Sequence, residues 1–231
     1  MLYVNIEKRL DRYTLKAEFK CDKNTLALFG ASGAGKSMTL KCIAGIEKPD
    51  KGVIQLNERV LFDSEKKIDL PPQKRKVGYL FQDYALFPNM TVSGNILSGM
   101  RKLPKAEREH KLCELIERFQ LNGLEKRRPD TLSGGEKQRV ALARIFASSP
   151  EVLLLDEPFS SLDTLLKLNL IPYIREIVSG FGGETILVSH DIDEVRQLCP
   201  TLIPIADGVT SDARDTEEYY TELKERFENL K

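Results

Sequence analysis

One short segment constrains the fold of this 231-residue chain more than any other feature. Residues 30–37 read Gly-Ala-Ser-Gly-Ala-Gly-Lys-Ser and fit the pattern G-x-x-x-x-G-K-[ST]. An apolar run at residues 25–29 precedes this glycine loop, and apolar residues at helical spacing follow it as far as Gly45. A buried strand, a glycine loop and a helix in this order cradle nucleotide phosphates, because backbone N–H groups at the helix start point at the anion. The segment therefore predicts an α/β nucleotide-binding fold, of the kind found in kinases, GTPases and many motors.

Two side chains of the glycine loop carry specific chemistry. Lys36 is expected to place its positive charge against the β- and γ-phosphates, and the Ser37 hydroxyl is expected to bind Mg²⁺. Backbone groups and neighbouring residues supply the other contacts. The predicted nucleotide contacts of this segment are Gly30, Ala31, Ser32, Gly33, Ala34, Gly35, Lys36, Ser37 and Met38.

A second helix start lies far along the chain, in a signature segment at residues 132–139. Ser133 and Glu136 form an S-x-x-E capping box, which predicts a helix that begins there with free N–H groups at its end. Gly134 and Gly135 let an anion approach closely, and the positive end of the helix favours a phosphate. These four residues are also predicted nucleotide contacts, because two phosphate-binding helix starts in one protein suggest that both contact the same nucleotide.

Two adjacent carboxylates follow a second apolar run, at residues 152–155. Neighbouring side chains of a strand point in opposite directions, so Asp156 and Glu157 are predicted to have different roles. His190 follows another predicted strand, at residues 185–189. It would stand at the carboxyl end of a parallel strand, where open α/β sheets bind ligands.

These motifs, in this order, strongly resemble those of the ATP-binding cassette (ABC) ATPases. The resemblance implies that Asp156 holds Mg²⁺ through water and that Glu157 is the general base for the attacking water. It also implies that His190 contacts the γ-phosphate and the base. Gln82, after a predicted strand at residues 77–81, would reach Mg²⁺ and the water. The predicted metal ligands are therefore Ser37, Gln82 and Asp156, and the predicted catalytic residues are Glu157, His190, Gln82 and Lys36.

The resemblance further implies a head-to-tail homodimer that ATP holds together. In this family the residues that match Ser133 and Gly135 contact the γ-phosphate bound by the opposite subunit. Ser160-Ser161-Leu162-Asp163 resembles the loop that crosses the dimer interface, and Asp163 is a predicted nucleotide contact.

The family also stacks adenine on an aromatic residue that precedes the glycine loop. Tyr13 is the nearest candidate, and Tyr3 and Phe19 are alternatives. The ring would supply a flat apolar face for the base.

The resemblance covers the chain up to about Asp207 and implies a single ABC ATPase domain, 1–231. Residues 1–83 and 150–231 are expected to form a RecA-like α/β core, with a mainly parallel sheet and an antiparallel β piece. Residues 84–149 are expected to form an inserted helical subdomain that carries the signature segment. Only a short polar tail follows Asp207, so we expect no C-terminal regulatory domain.

Composition limits the other classes of function. Lys plus Arg and Asp plus Glu number 35 each, so the net charge provides no general attraction to nucleic acid, and no nucleic-acid partner is expected. The apolar stretches are much shorter than a membrane span. The chain reaches Glu7, Lys8 and Arg9 without an apolar signal core, so we do not expect secretion. We therefore expect a cytoplasmic protein, which the resemblance places peripherally on the inner face of the cell membrane.

A finer resemblance points to importers. Residues 81–88, with Met90-Thr91-Val92 and residues 170–174, look like those of the ATPase subunits of molybdate importers and, more broadly, of oxyanion and polyamine importers. This implies integral membrane permease subunits, whose coupling helix is received at residues 84–92, and a periplasmic or extracytoplasmic substrate-binding protein that acts indirectly. The implied substrate is molybdate, tungstate or a related oxyanion.

Three other functions stay open at this point. A soluble ABC ATPase of DNA repair or translation usually carries a long coiled-coil insertion or two cassettes, and residues 37–132 show no sustained heptad pattern. A catalytically dead regulatory cassette would not need Glu157 and His190. A plain nucleotide kinase would not need the signature segment.

Overall fold

One continuous mixed sheet runs through the part of the chain that the structure describes, residues 1–22, 25–101, 103–160 and 162–228 of a computed structural model. The order of strands across it is β6-β5-β4-β1-β2-β11-β10-β3-β9-β8-β7, and β12 pairs with β10. The strands are β1 (Leu2–Arg9), β2 (Thr14–Cys21), β3 (Thr25–Phe29), β4 (Lys51–Leu56), β5 (Arg59–Asp63), β6 (Ile68–Asp69), β7 (Val77–Leu80), β8 (Val152–Asp156), β9 (Glu184–Ser189), β10 (Thr201–Ala206), β11 (Val209–Thr210) and β12 (Arg214–Asp215).

The half of the sheet that contains the predicted strands is parallel. Strand β3 pairs in parallel with β10 and β9, and the series continues through β8 to β7. The register sets Phe29 opposite Ser189 and Asp156 opposite Val188. The carboxyl ends of these strands therefore lie together at one edge, as the α/β prediction requires.

The other half of the sheet is antiparallel. Strand β1 pairs with β2 and β4, and the meander ends with β5 and β6. Strand β11 joins the halves, because it is antiparallel to β10 and parallel to β2. The expected fold class, a mainly parallel core with an antiparallel β piece, is confirmed.

Helices cover both faces of the parallel half and fill the long segment between β7 and β8. Between residues 84 and 149 the described residues form no strand, in agreement with the expected helical character. The α-helices of the described chain are α1 (Lys36–Ala44), α2 (Pro72–Arg75), α3 (Val92–Ser98), α4 (Lys105–Arg118), α5 (Gly134–Ala147), α6 (Thr164–Ser179), α7 (Ile192–Leu198) and α8 (Thr216–Glu228), and a 3₁₀ turn spans Pro129–Thr131.

The sheet separates two apolar clusters, and β8 contributes to both. Leu153 and Leu155 pack with the cluster formed by α3, α4, α5 and α6. Val152 and Leu154 pack with α1 and the antiparallel strands. A strand buried on both faces reads as an uninterrupted apolar run, which is why residues 152–155 predicted a strand. None of the described helices is long and apolar enough to cross a bilayer.

Candidate active site

The glycine loop turns directly from the end of β3 into α1. Gly33 and Gly35 adopt φ angles of +84° and +102°, a region that side chains other than glycine rarely adopt. A Cβ at Gly30 would lie 2.2 Å from the carbonyl oxygen of Ile205, so the strand next to β3 also requires glycine here. The first N–H groups of α1 therefore face the carboxyl edge of the sheet without a side chain in the way.

The Lys36 ammonium lies beneath this loop. Its Nζ donates hydrogen bonds to the carbonyl oxygens of Gly30 (2.8 Å) and Ala31 (2.9 Å), and it lies 3.9 Å from Oε1 of Glu157. Burial lowers the pKa of Lys36, while the charges of Glu157 and Asp156 raise it. A buried cation at the start of a helix is suited to bind a phosphate oxygen.

Ser37 and Asp156 meet from opposite sides of the same site. The Ser37 hydroxyl donates to Oδ1 of Asp156 at 2.7 Å, and the Tyr79 hydroxyl donates to Oδ2 at 2.7 Å. Burial, followed by the hydrogen bond to Asp156 and its charge, raises the pKa of Tyr79 well above its usual range, so that Tyr79 stays a donor. Ser37 and Asp156 therefore present hard oxygen atoms that could hold a divalent cation.

Sequence reasoning missed Tyr79. It lies on β7 beside Leu154 of β8, two residues before Asp156. The signal was a polar-tipped residue in an otherwise apolar run, next to a strand that ends in a carboxylate. A buried tyrosine hydroxyl needs a hydrogen-bond partner, which Asp156 supplies.

Glu157 and His190 form the opposite side of the site. Nδ1 of His190 lies 3.4 Å from Oε1 of Glu157, the same oxygen that faces Lys36. The His190 side chain is half exposed, whereas that of Glu157 is largely buried. This arrangement brings the Glu157 carboxylate close to both the Lys36 ammonium and the His190 imidazole, and a carboxylate so placed could accept a proton from water.

The two carboxylates do have different partners, but strand alternation is not the reason. Strand β8 ends at Asp156, and Glu157 adopts a left-handed φ of +45°. Its backbone N–H donates to the carbonyl oxygen of Val188, and its carbonyl oxygen accepts from the Ser160 hydroxyl. Strain of this kind persists only where the surroundings fix it, and it is common at functional sites.

The signature segment forms the predicted capping box at the start of α5. The Ser133 N–H donates to Oε2 of Glu136 at 2.7 Å, and the Glu136 N–H donates to the Ser133 hydroxyl at 3.3 Å. The hydrogen bond from the Ser133 backbone lowers the pKa of Glu136. The N–H groups of Gly134 and Gly135 stay free of partners within the helix. No hydrogen bond or ion pair of the described residues joins this segment to the glycine loop.

Tyr13 lies against the glycine loop. Its hydroxyl donates to the carbonyl oxygen of Gly33 at 2.6 Å, and its ring fills the space where Gly208 would carry a Cβ. Of the alternatives, Phe19 is buried in the core, whereas Tyr3 lies on β1 with the Lys20 ammonium over its ring. Tyr13 is thus next to the loop, and its contact with adenine stays a prediction.

Within the described ranges, three other predicted site residues make no hydrogen bond or ion pair with the cluster around Lys36 and Asp156. Gln82 is exposed after β7, and its side chain bonds to no other residue of the described ranges. Met38 is half-buried against the core. Asp163 accepts a hydrogen bond of 2.9 Å from the N–H of Leu166 and so caps α6. Ser161, in the predicted interface loop, lies outside the described residues.

The chain is similar in sequence to proteins of one large family. The ABC transporter family matches residues 16–160, more than half of the chain. The molybdenum import ATP-binding protein ModC of Rhodospirillum rubrum is 42% identical over 218 residues, which cover 94% of this chain and 59% of that protein. The chain thus spans less than two thirds of the length of the first curated relatives it matches.

Solved structures show the same fold. The structure of cbiO1 from Clostridium perfringens, part of the ABC transporter complex cbiONQ, matches with a TM-score of 0.80 at 27% identity and covers 100% of this chain and 94% of that one. The ATP-binding cassette MJ0796, in a dimeric post-hydrolysis state bound to ADP and Pi, matches with a TM-score of 0.76 at 24% identity, over 94% of this chain and 99% of that one, and supports the fold alone. On the family match and the identity to curated relatives, the chain belongs to the ABC transporter family.

Proposed function

We propose that this chain is the ATP-hydrolysing subunit of an importer and that it acts as a head-to-tail homodimer on a separate membrane permease. The observation that carries the proposal is one cluster at the carboxyl edge of the parallel strands. It joins a buried ammonium, a hydroxyl–carboxylate pair and a carboxylate–imidazole pair, the groups that phosphoryl transfer to water requires. The cluster consists of Lys36, Ser37, Asp156, Glu157 and His190.

The residues present fit ATP together with Mg²⁺. Ser37 Oγ and Asp156 Oδ1 are 2.7 Å apart and can face one cation, which would take its other ligands from phosphate, water and Gln82. The Lys36 ammonium is close enough to the loop to exchange a carbonyl partner for a phosphate oxygen. When bound, Mg²⁺ neutralises charge on the β- and γ-phosphates.

Hydrolysis forms a bond between a water oxygen and the γ-phosphorus and breaks the bond from that phosphorus to the β–γ bridging oxygen. Glu157 takes the proton of the water, and the products are ADP and phosphate. His190, 3.4 Å from the Glu157 carboxylate, orients this base and contacts the γ-phosphate. Lys36 stabilises the charge on the γ-phosphoryl oxygens, and Gln82 joins the site from its exposed loop.

The signature segment completes the site of a second copy. Within one chain, the described contacts do not join the free N–H groups of Gly134 and Gly135 to the glycine loop. A head-to-tail pair would bring Ser133 and Gly135 of one copy to the γ-phosphate of the other. Asp163 would lie near the same interface, and Tyr13 would stack on adenine. ATP then holds the pair together, and hydrolysis loosens it.

The loop between β7 and α3 supports contact with a permease. Phe87 is 43% exposed although it lies in a fixed loop, where Asn95 accepts from the Phe87 N–H at 2.9 Å. An exposed aromatic on an ordered loop is suited to a partner helix. We therefore assign residues 84–92 to the coupling helix of integral membrane subunits, with a periplasmic or extracytoplasmic binding protein acting indirectly. The chain would then sit on the cytoplasmic face of the membrane.

Similarity to ModC proteins supports molybdate, tungstate or a related oxyanion as the transported substrate. The absence of strands among the described residues between 84 and 149 supports the proposed division into a core, residues 1–83 and 150–231, and an inserted helical subdomain, residues 84–149. Purification of the permease complex from membranes and reconstitution in liposomes would test the substrate. Molybdate or tungstate, delivered with its binding protein, should stimulate ATP hydrolysis more than sulfate does. Equal rates with all three anions would refute this assignment.

Glu157→Gln tests the hydrolytic dimer directly. The amide keeps the volume of the side chain but cannot take the proton, so ATP binding should continue while hydrolysis stops. We expect ATP with Mg²⁺ to double the mass measured by light scattering, and ADP to leave the monomer. Lys36→Ala in the same background is the control and should abolish the dimer. A Glu157→Gln chain that stays monomeric across a wide concentration range would contradict the proposal.

A further inference from the structure

The loop that links β7 to α3 has an unusual backbone immediately after Gln82. Tyr84 and Ala85 adopt consecutive left-handed conformations, with φ angles of +62° and +43°. Side chains other than glycine enter this region at a steric penalty, so another part of the molecule must hold the segment in place.

Arg144, on α5, holds it. Its guanidinium donates hydrogen bonds to the carbonyl oxygens of Ala85 (2.6 Å) and Tyr84 (2.9 Å), which are the carbonyls of the two strained residues. The same guanidinium carbon lies 5.4 Å from the centre of the Phe87 ring, within the range of a cation–π contact. Arg144 forms no ion pair with a carboxylate of the described chain, so its planar donors serve this loop.

The far end of the same loop is held from another helix. Asn95, fully buried on α3, accepts from the Phe87 N–H and donates to the carbonyl oxygens of Phe87, Met90 and Thr91. Arg144 therefore ties the half of the loop next to Gln82 to α5, and Asn95 ties the half next to α3.

The position of Arg144 connects three parts of the proposed mechanism. Helix α5 begins at the signature segment and carries Arg144 in its last turns. With a rise of about 1.5 Å per residue, the helix connects the signature segment to Arg144 as one regular element. Gln82 lies two residues before Tyr84, and Phe87 lies two residues after Ala85. Arg144 therefore links the exposed Phe87 surface and the loop that follows Gln82 directly to the signature helix.

We propose that Arg144 is a positioning residue that locks the Gln82 loop to the signature helix, so that nucleotide binding and the Phe87 surface are coupled. This coupling rests on the proposed function, which assigns Gln82 to the ATP site and Phe87 to the contact with the permease. It requires both carbonyl hydrogen bonds, which the single ammonium of a lysine cannot reproduce in the same plane.

A single tryptophan provides the readout. The chain contains no Trp, so Phe87→Trp introduces the only indole and keeps an aromatic face for Arg144. Addition of ATP and Mg²⁺ to this variant should shift the indole emission. In the Arg144→Lys background the shift should disappear, and kcat should fall about tenfold while KM and the affinity for a fluorescent ATP analogue change less than about threefold.

Two further variants separate positioning from general stability. Arg118→Met is the matched control, because Arg118 also covers a ring, that of Phe146 at 4.7 Å, but donates to no carbonyl of the loop. It should keep both the shift and kcat. Ala85→Gly removes the steric penalty of the left-handed backbone, so it should restore part of the kcat lost in Arg144→Lys.

The outcomes are distinguishable. If the parent chain, with native Arg144, neither binds nor hydrolyses ATP, the proposed function itself is refuted. A parent that hydrolyses ATP, with an Arg144→Lys variant that keeps the emission shift and kcat, would refute only the coupling. The coupling is also refuted if Arg118→Met loses as much activity as Arg144→Lys, or if Ala85→Gly gives no rescue.

Discussion

The hydroxyl of Tyr13 donates a 2.6 Å hydrogen bond to the carbonyl oxygen of Gly33, at the tip of the glycine loop. Through this direct contact, the aromatic ring of Tyr13 lies beside the glycine loop. The contact also leaves two explanations for a role of Tyr13 in nucleotide binding. Either the ring stacks on adenine, or the hydroxyl supports the loop.

A pair of substitutions separates these explanations. Tyr13→Phe removes the hydroxyl and keeps the ring, and we expect the Kd for ATP, measured by titration with a fluorescent analogue, to change less than about threefold. Tyr13→Leu removes the ring, and we expect Kd to rise about tenfold, because base–aromatic stacking contributes roughly 1–3 kcal/mol. Equal losses in the two variants would assign the effect to the hydrogen bond with Gly33 instead.

Gly135 should tolerate a side chain within its own chain but not in the dimer. A Cβ there would lie 3.4 Å from the nearest atom of Leu170, an ordinary contact, whereas a Cβ at Gly134 would lie 3.0 Å from Leu162. Because Gly135 is buried, we expect Gly135→Asp to lower Tm but still to fold and to bind ATP. Hydrolysis should be lost, because the new carboxylate would face the γ-phosphate of the other copy.

A mixing experiment tests whether that loss acts across the dimer. Gly135→Asp and Lys36→Ala should each be inactive alone. In a mixed pair, the intact glycine loop of the first copy faces the intact signature segment of the second. Mixing should therefore restore part of the hydrolysis, measured as released phosphate. A mixture as inactive as its components would contradict the head-to-tail arrangement.

Lys36 should make stability depend on pH in a defined direction. Desolvation lowers its pKa in the folded chain below the ordinary value of 10.5, against the opposite effect of Glu157 and Asp156. Between the folded and unfolded pKa values the unfolded chain binds more protons, so the free energy of unfolding rises with pH in that window. Below the folded pKa the desolvation penalty is fully present.

Urea denaturation of the nucleotide-free protein at several pH values measures this effect. The free energy of unfolding of the native chain, minus that of Lys36→Met, should increase as pH rises toward 10.5. Lys41→Met, near the other end of α1, is the control for the loss of a lysine from this helix. Parallel curves for the native chain and Lys36→Met would show that burial does not perturb this ammonium.

The sequence predicted the parts of the site that depend on local order. The strand, glycine loop and helix around Lys36 are contiguous, and so is the capping box of Ser133 and Glu136. Each is specified within about ten residues, where turn and capping preferences act directly. Expectations for α1, α5 and the parallel strands therefore agree with the structure.

Contacts between distant segments were not predictable in this way. Tyr79 bonds to Asp156 across 77 positions of sequence, and Arg144 bonds to Ala85 across 59. Arg75, fully buried, donates to the carbonyl oxygens of Cys42 and Ile43 near the end of α1 and would clash with a Cβ at Gly45. None of these pairs has a local pattern, because each depends on how strands and helices pack. The left-handed turn at Glu157 was missed for the same reason.

Tyr79→Phe tests the most important of these non-local contacts. The substitution leaves Oδ2 of Asp156 without its 2.7 Å donor, in a buried setting where an unsatisfied group costs about 1–3 kcal/mol. The Asp156 carboxylate should then hold a divalent cation less well, so the Mg²⁺ concentration for half-maximal hydrolysis should rise about threefold to tenfold. Because the pKa of Tyr79 lies far above its usual range, this difference should stay constant between neutral and mildly alkaline pH.

Tyr3→Phe removes a hydroxyl on β1 and should leave the Mg²⁺ requirement unchanged. If Tyr79→Phe shows the same Mg²⁺ requirement as the native chain, Asp156 does not bind the metal through a carboxylate that Tyr79 orients.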